Sequence, residues 1–175
     1  MLGVLRRGGG LVLRGEPWQN NHMSNTNQKV HDFLRDNPMG VVSTVSDDGT
    51  PWGAAVYFIA DDDFNIYFVT RAETTKYQNV KQGRVAAFTV ADRKTQTTVQ
   101  LTGEVTEVSA DDYMNNLFDK FMELRHSDDH NWSPPINKVH AGKYMPLRIK
   151  PTRLHYANYG QRSNDPTANY IEEII

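Results

Sequence analysis

Three adjacent residues, Thr74, Thr75 and Lys76, have the chemistry of a phosphate site. They follow an aromatic and β-branched stretch that ends at Thr70, and they precede a short helical pattern that Gly83 ends. The first amides of a helix lack internal partners and lie at the positive end of its dipole. Two hydroxyls and one ammonium group at that place would add donors and a full charge. The junction therefore predicts an anion site.

The same residues also fit an ordinary helix N-terminus followed by a solvated lysine. The sequence has no glycine-rich phosphate loop and no dinucleotide fingerprint that would decide between the two. A second candidate, HSDDH from His126 to His130, spaces two histidines for zinc or nickel on a helix. A solvated polar loop explains that segment better, and we expect no metal site. No Ser-His-Asp set has a workable spacing, so we assign no catalytic residue.

We call Thr74, Thr75 and Lys76 the Thr-Lys cluster. The elements that must position this cluster are mainly strands. Three short helical patterns separate runs of β-branched and aromatic residues, several of them joined by tight acidic turns. The predicted strands are GVVSTVS, WGAAVYFIA, FNIYFVT, RVAAFTVAD, TQTTVQLTGEVTEVS, YMPLRIKP and TRLHYANY. This content predicts a mainly β (α+β) fold, an antiparallel, closed or partly closed barrel of about 6–7 strands with short peripheral helices.

The third helical pattern opens with Ser109 and Asp112, which resemble a capping box. An apolar stripe at helical spacing follows it. We expect core or dimer contacts from this stripe, which consists of Tyr113, Leu117, Phe121 and Leu124.

Composition limits the function classes. The 19 Lys and Arg against 21 Asp and Glu give a formal charge of -2 without blocks of one sign, so we expect no nucleic-acid partner. No apolar run approaches the roughly 20 residues that span a bilayer, so we expect no membrane partner. The absence of cysteine fits a cytoplasmic location. We expect residues 1–22 to be a disordered extension and residues 23–175 to form a single domain.

The stretch from Gly49 to Ser109, and more broadly residues 28–158, resembles the FMN-binding split β-barrel family related to pyridoxamine 5'-phosphate oxidase. The general-stress-protein-like flavin-binding branch is the most similar part of that family. The strand ending at Thr70, the Thr75-Lys76 pair and the strand running to Gly103 carry the resemblance.

The resemblance implies FMN as cofactor, with deazaflavin and haem as alternatives. It also implies a homodimer with the flavin at the interface and a small-molecule substrate or reductant. The flavin ring would lie beside the strand from Ala54 to Tyr57, and the phosphate would lie at the Thr-Lys cluster. The implied cofactor-binding residues are Ala54, Ala55, Val56, Tyr57, Val69, Thr70, Thr74, Thr75, Lys76 and Thr98.

Several positions depart from the oxidases of that family. Thr75 stands where they usually carry arginine, Thr98 where they carry glutamine, and Ala157 where they carry tryptophan. Asn116, Lys120 and Leu124 stand where the oxidases place tyrosine, arginine and serine for their substrate. The resemblance therefore implies a flavin-dependent oxidoreductase of unknown substrate rather than a pyridoxal phosphate synthase. A non-catalytic flavin- or haem-binding or sensing module on the same barrel is the alternative.

Overall fold

The structure is a computed structural model that describes residues 25–81, 83–123, 144–160, 167 and 169–175. The predicted extension of residues 1–22 and the HSDDH segment lie outside these described residues. The helices are α1 (Asn25–Asp36), α2 (Thr75–Val80), α3 (Ala110–Asn116) and α4 (Phe118–Glu123). The strands are β1 (Met39–Val45), β2 (Pro51–Ala60), β3 (Ile66–Arg71), β4 (Val85–Asp92), β5 (Thr97–Glu107), β6 (Tyr144–Asn158) and β7 (Ile171–Glu173).

The strands form one antiparallel sheet that closes on itself. Their order is β3-β2-β1-β4-β5-β6-β7, and a further pairing of β3 with β6 closes β1 to β6 into a barrel. Closure removes the exposed strand edges that an open sheet would leave. The predicted mainly β antiparallel barrel with short peripheral helices is confirmed.

The barrel interior is an apolar core built by alternation along the strands. Phe58, Phe68 and Phe88 are almost fully buried, and Phe58 meets Phe88 edge to face at 4.9 Å between ring centroids. One face of α1 packs on the same cluster through Val30 and Leu34. Burial of each of these phenylalanine side chains contributes roughly 1.5–3 kcal/mol to folding.

A second apolar cluster lies outside the barrel, where α3 and α4 cover β2, β3 and β6. Ile59 is buried there together with Tyr113, Leu117 and Phe121. Tyr113, Leu117 and Phe121 belong to the stripe that the sequence predicts to be core or dimer contacts. Leu124, the fourth residue of that stripe, lies outside the described residues. The helix is interrupted at Leu117, so the predicted single helix is two short ones.

The N-cap of α3 that the sequence predicts at Ser109 is confirmed by its geometry. Ser109 Oγ accepts a hydrogen bond from the Asp112 amide at 3.0 Å, and it lies 2.6 Å from Asp112 Oδ2. The bond satisfies one of the amides that a helix N-terminus leaves without an internal partner.

The sequence misplaces one strand boundary. Pro151 predicts a break between two strands, because proline cannot donate to a β-ladder. Instead, β6 runs without a break through Pro151 and is 15 residues long in total. The pairing of β5 with β6 shifts register between Thr102 and Gly103, directly opposite the proline, and this irregularity accommodates the missing donor.

The C-terminal segment adds β7 to the sheet by pairing with β6. Ile174 also packs against the main core, which holds the segment on its own barrel. Within the described ranges, every helix is too short or too polar to cross a lipid bilayer.

Candidate functional site

The end of β3 and the start of α2 border a cavity of about 280 Å³ on the outside of the barrel. The outer face of β2 forms one side of it, and α4 and the start of β6 form another. The lining residues are Ala55, Val56, Tyr57, Val69, Thr70, Arg71, Thr74, Lys76, Phe121 and Tyr144. Most of these side chains are apolar or aromatic, and the two cations lie together where β3 leads into α2.

Lys76 is a half-buried cation without a counterion among the described residues. Its ammonium group has no salt bridge and no hydrogen bond to any residue that the structure describes. Burial lowers the pKa of Lys76, because removing water disfavours the charged form. An anion in the cavity would restore the interactions that the ammonium loses on burial.

The two threonine hydroxyls at the cavity form a short chain. Thr74 Oγ1 donates to the Arg71 carbonyl at 2.8 Å, so its single hydrogen is in use. Thr70 Oγ1, 3.0 Å from Thr74 Oγ1, must therefore be the donor of that second bond. Both oxygens keep lone pairs, but neither offers a hydrogen to a ligand unless this chain rearranges.

Thr74 occupies the N-cap position of α2 with extended backbone angles, φ -78° and ψ 147°. Its side chain nevertheless makes no capping hydrogen bond. An ordinary threonine N-cap would accept a bond from an amide two or three residues later. The sequence also allowed an ordinary helix N-terminus at this place, with the threonine side chain as its cap. The structure differs from that interpretation, because the Thr74 side chain leaves the first-turn amides of α2 uncapped.

Side-chain hydrogen bonds fix α2 against the barrel. Asn79 is buried, donates to Thr44 Oγ1 at 2.9 Å and accepts from Ser46 Oγ at 3.1 Å. At the other side of the helix, the Tyr77 hydroxyl donates to Glu107 at 2.6 Å, and this bond raises the pKa of Tyr77. The ammonium of Lys76 is thereby carried on a helix that is anchored to both β1 and β5.

The structure brings seven of the ten predicted cofactor-binding residues to this cavity: Ala55, Val56, Tyr57, Val69, Thr70, Thr74 and Lys76. Three others are elsewhere. Ala54 pairs with the buried Val42, and its side chain packs on the main core. Thr75 is exposed and does not line the cavity.

Thr98 is also away from the cavity, on β5, where it pairs with Ala91 and Ala157. In the sheet, β4 and β1 separate β5 from β2. A strand's place in the sheet depends on long-range pairing, so the local pattern around Thr98 could not reveal this separation.

Sequence reasoning missed three lining residues, Arg71, Phe121 and Tyr144. Arg71 directly follows the predicted strand end and forms an ion pair with Glu73. Phe121 was expected to be core and is indeed buried, with one edge at the cavity. Tyr144 reaches the site only because β6 pairs with β3, opposite Arg71, and no local signal predicts that register.

An apolar surface adjoins the cavity on the outside of β1, β2 and β4. Met39 and Tyr57 lie opposite each other across β1 and β2 and are 57% and 41% exposed. Val41, Val45 and Val85 are 42%, 52% and 61% exposed. We call these five residues the outer apolar face. Tyr57 belongs both to this face and to the cavity lining.

Comparison with known proteins gives one family and a consistent fold. The family model described as Pyridoxamine 5'-phosphate oxidase matches residues 26–157. No curated protein matches the sequence.

Among solved structures, the conserved hypothetical protein Rv2991 of Mycobacterium tuberculosis has a TM-score of 0.61 at 20% identity, covering 83% of this chain and 95% of its own. A pyridoxamine 5'-phosphate oxidase-related, FMN-binding protein of Nostoc punctiforme has a TM-score of 0.57 at 14% identity, covering 87% and 90%. General stress protein 26 of Bacillus anthracis has a TM-score of 0.56 at 17% identity, covering 75% and 92%. At these identities the likeness concerns the fold.

Proposed function

Because this chain belongs to the pyridoxamine 5'-phosphate oxidase family, we propose that it binds FMN in the cavity at the β3–α2 junction. The phosphate lies beside Lys76 and the first amides of α2. The isoalloxazine ring lies along the outer face of β2, against Ala55 and Tyr57. The FMN-binding description of the similar Nostoc protein supports this choice of ligand.

The observation that carries the proposal is the half-buried ammonium of Lys76 at the cavity, which pairs with no residue in the part of the chain that the structure describes. A buried or partly buried charge is normally paired, because an unpaired one costs free energy. A phosphate ester offers the missing counterion and also accepts from backbone amides. Thr75, exposed beside Lys76, contributes through its backbone amide rather than through its side chain.

The proposed ring site is apolar. Tyr57, Val69 and Phe121 line the cavity away from the cationic end, and such side chains suit a planar ring with few polar edges. The cavity volume of about 280 Å³ lies at the lower end for small-molecule sites, which run from about 300 to 1,000 Å³. One chain therefore encloses only part of an FMN molecule.

We propose that a second copy of this chain completes the pocket. The outer apolar face is continuous with the cavity through Tyr57, so a partner packed on that face would also cover the flavin. Exposed contiguous apolar surface of this kind is typical of association sites. Thr98, which is remote from the cavity of its own chain, can reach a flavin only from that second copy.

We further propose that the holoprotein is an oxidoreductase acting on a small molecule. Bound flavin supplies the hydride and electron chemistry, while this chain binds it, orients it and excludes water. Ala157, which stands where the oxidases carry tryptophan, is buried between β5 and β7 and presents no ring to a cofactor. Pyridoxal phosphate synthesis is accordingly not the proposed reaction.

Two measurements test the proposal. Purified protein should be yellow or should bind FMN from solution, with saturable quenching of flavin fluorescence at micromolar protein. Absence of binding at high flavin concentration would reject FMN as the ligand. Mixing the holoprotein with NADH or NADPH in a stopped-flow instrument should then bleach the flavin absorbance if the protein is an oxidoreductase.

A non-catalytic flavin-binding module is the second candidate, and one observation favours it. Among the described residues that line the cavity, there is no carboxylate and no imidazole to act as acid or base. Flavin that binds tightly yet stays oxidised with reduced nicotinamides and with a reduced deazaflavin would support the module. Rapid reduction by any of these donors would favour the enzyme.

A further inference from the structure

A second cavity lies beside α3 and borders the second apolar cluster. Its volume is about 270 Å³, and strands β3 and β6 form its floor. The lining residues are Tyr67, Val108, Asp112, Asn116, Leu117 and Arg148. None of them lines the proposed FMN cavity, so the two spaces are separate sites.

Arg148 is the one cation in this lining. It pairs with Tyr67 across β6 and β3, so both side chains project from the same face of the sheet. The Arg148 side chain is half-buried. Its Nε atom is fully buried, out of reach of a ligand in the cavity, and has no hydrogen-bond partner among the described residues. No carboxylate of the described ranges forms a salt bridge with it. The terminal nitrogens of the guanidinium present further N–H groups, and an acceptor with two oxygens would bond to two of these together.

The other polar groups of the lining already have partners within the chain. The Tyr67 hydroxyl donates to Asp61 Oδ2 at 2.9 Å, and its oxygen interacts as an acceptor with Arg148. Asp112 is held by the Ser109 hydroxyl at the start of α3. The Asn116 side-chain amide donates to the Asp112 carbonyl at 3.1 Å. Among the described groups of this lining, Arg148 is therefore the charged group that lacks an oppositely charged partner.

Charge and shape restrict what that acceptor belongs to. Asp112 contributes a negative charge to the same cavity, so a dianion such as phosphate meets repulsion as well as attraction. A single carboxylate matches the guanidinium fork with one charge. Val108 and Leu117 supply apolar walls, and these suit an apolar body attached to the carboxylate.

We propose that this cavity binds a small monocarboxylate, with the carboxylate on the guanidinium of Arg148 and an apolar body against Val108 and Leu117. The inference does not depend on flavin binding, because the two cavities share no residue.

The test uses the full chain and sodium benzoate, with benzamide as the uncharged analogue of the same shape. Binding is followed by two-dimensional NMR of the labelled protein. Benzoate should saturate, shift the amide signals of Val108 and Leu117, and bind at least tenfold more tightly than benzamide or inorganic phosphate. Arg148→Met should weaken benzoate at least tenfold. Lys150→Met is the matched control, because Lys150 is an exposed cation on the same strand that does not line the cavity.

Several outcomes would overturn the proposal. Benzamide binding as tightly as benzoate would remove the role of the charge, and phosphate binding more tightly than benzoate would reject the monocarboxylate. Competition between benzoate and FMN would place benzoate in the other cavity. Equal weakening by Arg148→Met and Lys150→Met would show a general effect of net charge. FMN titration of the Arg148→Met protein checks its folding, and the benzoate-to-benzamide ratio of the unaltered chain tests the site without any variant.

Discussion

Replacement of Lys76 by methionine should weaken FMN binding and leave riboflavin binding nearly unchanged. Methionine keeps an unbranched side chain of similar length and removes only the charge. Riboflavin has the same ring and ribityl chain as FMN but no phosphate. The comparison of the two ligands therefore isolates the ammonium–phosphate contact from every other effect of the substitution.

The expected size of the effect follows from the exposure of Lys76. Charge-assisted hydrogen bonds contribute about 1.5–3 kcal/mol, and the lower value applies here because the side chain is only half-buried. At about 1.4 kcal/mol per tenfold change in affinity, the FMN dissociation constant should rise about tenfold. The riboflavin dissociation constant should change by less than about twofold.

The assay is a fluorescence titration of apoprotein with each flavin, and Lys81→Met is the control. Lys81 lies at the C-terminal cap of the same helix, is exposed and bonds to Gln78. It does not line the cavity, so its loss should affect neither ligand. Equal losses of FMN and riboflavin affinity in Lys76→Met would refute the assignment of the phosphate to Lys76.

The lowered pKa of Lys76 adds a pH dependence with a defined sign. In the apoprotein, Lys76 loses its proton at a lower pH than an ordinary lysine, whereas bound phosphate stabilises the charged form. FMN affinity should therefore be full below the apoprotein pKa of Lys76 and should fall as pH rises through that pKa. Lys76→Met should lack this fall.

Below the apoprotein pKa of Lys76, the burial of its charge destabilises the apoprotein. Lys76→Met should consequently melt at a higher temperature at neutral pH while binding FMN more weakly.

Three further substitutions test the framework around the site. Asn79→Ala removes two hydrogen bonds, one buried and one partly buried, and leaves the Thr44 hydroxyl unsatisfied, so it should cost about 1–3 kcal/mol in urea unfolding and weaken FMN and riboflavin alike. Gly103→Ala should cost about 1–3 kcal/mol in the same assay, because an added Cβ would overlap the Lys150 carbonyl at the β5–β6 irregularity. Val41→Asp puts a charge on the outer apolar face and should convert a dimer to a monomer at micromolar concentration in sedimentation velocity.

Two of these substitutions have a matched control. Gly53→Ala meets only an ordinary 3.6 Å contact and should change stability much less than Gly103→Ala. Val41→Thr keeps the shape without a charge and should remain dimeric. Persistence of the dimer in Val41→Asp would exclude the outer apolar face as the interface. A selective loss of FMN but not riboflavin in Asn79→Ala would contradict its role as an anchor of the whole helix.

Strand positions were predictable because local chemistry sets their ends. Asp61 accepts hydrogen bonds from the amides of Asp63 and Asn65 at 3.0 and 2.9 Å, which closes the acidic turn between β2 and β3. Barrel closure was not predictable in the same way, because the register of β3 with β6 joins residues far apart in the chain. Tyr144 enters the cavity through that pairing alone, and Thr98 is kept out of it by the strand order.

The sequence left two interpretations of the Thr-Lys cluster open, and the surroundings of Lys76 favour the anion site. The nearby acids are already engaged, since Glu73 pairs with Arg71 and Glu107 accepts from Tyr77. An ordinary helix N-terminus would leave its lysine in water, where no partner is needed. Here the ammonium is half-buried beside a cavity, its pKa is lowered, and no described carboxylate is bonded to it. A half-buried charge without a bonded carboxylate costs the apoprotein free energy, and an anionic ligand would offset this cost on binding. The local sequence does not show which acids are already engaged, because that depends on the three-dimensional arrangement.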